Sequence, residues 1–148
     1  MLRLFLAAVL ACEAVAADGT VHAQFIGGTV PGLAAKSSAR LDLTGRDALG
    51  FSSGQVQLNI EYRKINTLEY GQNVSRRYAA AVLISPVLLL SKSRKHFVTL
   101  GYVDPDGNQQ ALVFRVEKGD IRTVLASLEA RTGRRIEFQD DEARKSIK

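Results

Sequence analysis

Five basic residues, Arg76, Arg77, Lys92, Arg94 and Lys95, bracket the fourteen-residue run YAAAVLISPVLLLS (Tyr78–Ser91), which carries no charge. Those residue types in that order suit contact with an anionic surface. Folding the run back on itself about Pro86 brings both charged flanks to one level, so apolar side chains can enter an acyl layer while cations meet phosphates. Each basic residue near such a surface contributes about 1 kcal/mol, so five matter even when half of that is screened. As a helix the run reaches roughly 21 Å, against about 30 Å of hydrocarbon, so it does not span as a simple transmembrane helix. The competing reading is structural: short apolar runs are usually buried strands or core helices, with flanking cations keeping the ends soluble.

Other reactive residue types lack the company their chemistry needs. GFSSG (Gly50–Gly54) matches G-x-S-x-G by letters, with Ser52 in the nucleophile position. That motif works on a strand, a sharp turn and a helix supporting an oxyanion hole. Here Gln55–Tyr62 follows and alternates as a strand, so a Gly/Ser turn between strands explains the same letters. His22 and His96 are far apart, and neither has a carboxylate or cysteine at ligand spacing. His96 follows Lys95, where a ring proton would face like charge, and a satisfied or solvent-facing histidine is the simpler reading. The acids Asp140–Glu142 read as a solvated end. Asn73–Ser75 spells an N-glycosylation sequon, a tripeptide that arises often by chance. No catalytic residue, metal site or cofactor is assigned.

Composition bounds the class. A chain of 148 residues is one domain by expectation and long enough to bury a useful core. With 46% hydrophobic and 24% charged residues it reads as an ordinary globular protein, and disorder is a poor explanation. A net charge of +5 favours anionic partners: membrane surface, nucleic acid or acidic protein. Phe97, Tyr102 and Phe114 lie near the basic cluster and could stack bases, but a core needs them, and nucleic acid is disfavoured.

The N-terminus points to export. A positive start (Met1–Arg3), the apolar Leu4–Ala11 and the small residues Ala14–Ala17 match a compact signal peptide, so the protein is read as periplasmic or secreted. Cys12 is the single cysteine. It sits in VLAC (Val9–Cys12), which faintly resembles a lipoprotein cleavage site; loss with the signal is the simpler reading. Either way the mature body has no internal disulfide, and its stability comes from packing.

The elements that must position the basic cluster are strands. Thr20–Phe25 alternates loosely, Gly27–Ser38 reads as a linker or long loop, and Ala39–Gly45 and Asp47–Phe51 read as partner strands. In Gln55–Gly71, Val56, Leu58, Ile60 and Tyr62 alternate with polar residues, and after a phase shift at Lys64 the text resumes from Ile65 to Tyr70 as a second strand or a bulged continuation. His96–Val103 and Gln110–Val116 flank DPDGN (Asp104–Asn108), where Pro105 presets φ and Gly107 supplies the left-handed position of a hairpin. Asp120 is a good N-cap residue, Ile121, Val124, Leu125 and Leu128 follow at helical spacing, and Gly133 stops the helix. The predicted core holds Leu41, Leu43, Val56, Leu58, Ile60, Ile65, Leu68, Val98, Leu100, Leu112, Phe114, Val124, Leu125 and Leu128. The end after Gln139 reads as charged and frayed.

IEYRKINTLEYG (Ile60–Gly71), then KHFVTLGYVDPDGNQQALVFRV (Lys95–Val116), then DIRTVLASLEARTG (Asp120–Gly133) resembles bacterial pleckstrin-homology-like and GRAM-like domains over about residues 35–135. In those, an I-x-Y-x-x-I-x-x-L strand marks the first sheet and the last hairpin runs into a helix that plugs the barrel. The resemblance implies lipid head-group binding through basic residues in the first strand–strand loops. The corresponding loop Thr44–Asp47 holds only Arg46, balanced by Asp47, and the closing helix has no tryptophan, so head-group recognition is not carried over. The uncharged Tyr78–Ser91 resembles an apolar insertion in some exported bacterial members.

The expected fold is mainly β (α+β): a small PH-like bent sheet or barrel capped by a C-terminal α-helix. Residues 1–17 are the signal peptide, 18–38 an N-terminal strand and linker, 39–139 the PH-like domain and 140–148 a charged tail. The expected function is non-enzymatic: membrane association through Arg76, Arg77, Lys92, Arg94, Lys95 and the run between them, or a scaffold holding a protein partner in the bacterial envelope. The oligomeric state is left open.

Overall fold

Two-residue alternation over Ser38–Asp42, Ala48–Ser53 and Val56–Glu61, and the continuous apolar runs of His96–Val103 and Gln109–Val116, make strands the main element of the described residues. The computed structural model describes residues 19–73 and 95–147. The expected signal peptide, Arg76, Arg77, Lys92, Arg94 and the run Tyr78–Ser91 lie outside them. The strands are β1 (Thr20–Gly28), β2 (Ser38–Asp42), β3 (Ala48–Ser53), β4 (Val56–Glu61), β5 (Ile65–Gly71), β6 (His96–Val103), β7 (Gln109–Val116) and β8 (Glu137–Phe138). Two helices, α1 (Ile121–Thr132) and α2 (Asp141–Ser146), follow the hairpin and end the described chain.

All eight strands form one sheet in the order β4-β3-β2-β1-β7-β6-β5-β8. Consecutive antiparallel meanders, β1–β4 and β5–β7, join through β1 and β7, and β8 adds in parallel beside β5. The sheet is open. A closed barrel is therefore not what forms: β4 and β8 are edges, and the 3-10 turn Tyr62–Lys64 carries the chain from one edge into the second meander. Register shifts at Phe25–Gly27 and Ile65–Thr67 bend β1 and β5, as inserted residues do.

The strand expected within residues 18–38 is central and not an appendage. β1 pairs with both β2 and β7, and the loop after it folds back, with Lys36 N–H donating to the Phe25 carbonyl at 2.8 Å.

One face of the sheet carries the core. Leu41, Leu49, Phe51, Tyr70, Leu100, Leu112 and Phe114 are buried there beneath Ile121, Val124, Leu125 and Leu128 of α1. Twelve of the fourteen predicted core residues are buried; Val56 and Leu58 are only half-buried, because β4 is an edge strand with a neighbour on one side. Gly133 ends α1 in the left-handed conformation (φ 67°), its N–H donating to the Glu129 carbonyl. Asp120 stands at the N-cap but makes no side-chain cap; its own carbonyl accepts from Val124 N–H at 3.0 Å.

Residues Asp141–Ser146, expected to fray, form a helix. Asp140 caps α2, its Oδ1 accepting from Ala143 N–H at 2.7 Å, and Ala143 is fully buried against the core. A helix this short is marginal alone. Tertiary contact holds it.

Candidate functional site

Gly71 of β5 and Phe97 of β6 are Cα partners across the sheet. The chain therefore leaves the sheet after Gly71 and re-enters before Phe97 at neighbouring points. Arg76 and Arg77 follow the exit by a few residues, and Lys92, Arg94 and Lys95 precede the return. Of the five predicted site residues only Lys95 is described, half-buried at the start of β6.

Strand pairing adds cations that the linear reading missed. Phe97 pairs with Arg115 on its other side, and Lys95, His96, Arg115, Glu117 and Lys118 line one shallow recess. Arg115 Nη2 donates to Glu117 Oε1 at 3.2 Å, so its charge is partly offset while Lys118 stays exposed. Arg115 was visible as the single charge inside the strand QQALVFRV, and Lys118 as the residue just past its end. Only the register reveals that both lie beside Lys95.

His96 is anchored. Its Nδ1 lies 2.6 Å from Tyr70 Oη, and the rings stack with centroids 5.9 Å apart. Burial holds the His96 pKa below the ordinary range; Lys118 adds to that and Glu117 opposes it. Tyr70 Oη also meets Ser146 Oγ at 2.8 Å, and Ser146 Oγ donates to the Ala143 carbonyl at 2.8 Å. Burial raises the Tyr70 pKa, so the phenol keeps its proton and cannot act as a base near neutral pH. The trio ties α2 to the β5–β6 pair.

Ser52 sits within β3, paired with Arg40, and the chain goes on through a turn into β4. The strand–turn–helix context of a nucleophile elbow is not present there. His22 is exposed on β1 opposite Arg40, on the other meander from His96. Among the described residues no cluster of His, Cys, Asp and Glu could hold a metal ion, and no helix is long and apolar enough to cross a membrane. No protein-family model and no curated protein matches this chain.

Proposed function

We propose that this protein is a non-enzymatic, exported PH-like module that attaches peripherally to an anionic membrane surface. The observation that carries this reading is the pairing of Gly71 with Phe97. The segment that carries Arg76, Arg77, Lys92 and Arg94 in sequence leaves and rejoins the sheet at this pair, where Lys95, Arg115 and Lys118 line one recess. Clustered cations at one level are what an anionic bilayer attracts, at about 1 kcal/mol per residue before screening. The PH-like assignment is supported by the two meanders and by the β6–β7 hairpin leading directly into a core-packed helix. Co-sedimentation with phosphatidylglycerol-containing vesicles, against pure phosphatidylcholine vesicles, tests it. Binding to the anionic vesicles alone is expected; equal binding, or none, overturns the proposal.

A second reading, a scaffold for an envelope protein, is favoured by β4. Tyr62 N–H donates to the Asp47 carbonyl, so even-numbered β4 residues bond β3, and Gln57 and Asn59 turn their backbone groups to the open edge. An extended partner segment could add there as a ninth strand. A pull-down from envelope extract that recovers only this domain counts against it.

A further inference from the structure

The face of the sheet opposite the core is wet over β2, β3 and β4 and dry over β6, β7 and the end of β1. On β2, β3 and β4 that face presents Arg40, Asp42, Ser52, Gln57 and Asn59, which line an open polar recess. Along β1, β7 and β6 the residues that alternate away from the core include Ile26, Ala111, Val113, Phe97 and Thr99, with His22, Gln24 and Arg115 at the wetter margin. The first five are 1%, 7%, 0%, 4% and 3% exposed, and none belongs to the core cluster that α1 and α2 pack against. Strand residues facing water are not this apolar or this buried.

We infer that this second face is the seat of Tyr78–Ser91. Adjacent antiparallel strands need only two to five connecting residues. β5 and β6 are joined instead by residues 72–95, whose middle is uncharged and whose roots flank Phe97 at the edge of the dry patch. The excess chain has the composition the patch requires, and it starts and ends beside it. The other undescribed segment of any length, residues 1–18, joins at Gly19, where β1 runs beside β2 at the wet half. A seat on the sheet takes one side of the run and leaves the basic flanks at its neck, so the inference stands or falls independently of membrane binding.

Thiol accessibility tests it. In the Cys12→Ser background, Val113→Cys in the full chain is expected to react with a maleimide on the order of 100-fold more slowly than a free cysteine. Replacing residues 78–91 by a short Gly/Ser linker restores fast reaction. Fast reaction in the full chain overturns the inference, and equal protection in both assigns the cover to residues 1–18 or a second copy, which also overturns it. Should the shortened chain fail to fold, the full chain decides: Val113→Cys paired in turn with cysteine at Val82, Leu83, Ile84, Val87, Leu88 or Leu89. Disulfide formation at one or more of these supports the seat, and formation at none contradicts it.

Discussion

Tyr70 Oη lies 2.6 Å from His96 Nδ1, at the point where β5 and β6 stop pairing. The same hydroxyl meets Ser146 of α2, so one phenol joins both strands to the last helix. Tyr70→Phe keeps the ring and its edge contact with Phe138 but removes both bonds. It is expected to cost about 1–2 kcal/mol, seen as a lowered urea midpoint, because Ser146 and His96 lose their shared partner. An unchanged midpoint shows that the trio contributes nothing to stability.

The pH dependence of stability follows from His96. Its folded pKa is depressed by burial first and Lys118 second, below the value of about 6.5 that it takes unfolded. Between those two values the unfolded chain binds more protons, so stability is complete above about pH 6.5 and is lost as pH falls through it. Asp42, Glu61 and Asp104 also have lowered values, but their effect sets in only near pH 4, outside this window. Melting temperature is expected to fall from about pH 7.5 to pH 5.5 and to flatten in His96→Gln. Equal slopes in both proteins contradict the assignment.

The core makes a sharper demand. Phe114 is fully buried on the strand that joins the two meanders, and Leu125 is 3% exposed on α1. Each truncation to alanine is expected to cost about 2–5 kcal/mol in chemical unfolding. A loss below about 1 kcal/mol for Leu125→Ala places α1 off the sheet in solution.

What could be read from residues alone divides along one line: local pattern was legible, pairing was not. His96–Val103 is β6 to the residue, Gly107 turns the hairpin with φ 86°, and Gly133 stops α1, because each depends on neighbours in sequence. Val56 and Leu58 alternate correctly yet stay half-buried, since edge or centre is set by strand order. α2 was missed because DDEARKS is charged throughout and shows no apolar stripe; only Ala143 buries, beneath the cap from Asp140. At the candidate site, Lys95 and its flanking charges were legible as a cluster. Arg115 and Lys118 join it only through the pairing of β6 with β7. The dry second face was hidden for the same reason, since Phe97, Val113 and Ile26 come from three strands.

The most direct test of the account is the affinity for phosphatidylglycerol-containing vesicles of the full chain and of R76Q/R77Q/K92Q/R94Q/K95Q, measured across salt concentrations. Removing five cations is expected to weaken binding by about 2–3 kcal/mol after screening, roughly 30- to 150-fold, and to flatten the salt dependence. An affinity and salt dependence matching the unsubstituted protein would contradict the claim that the basic neck holds this domain to an anionic surface.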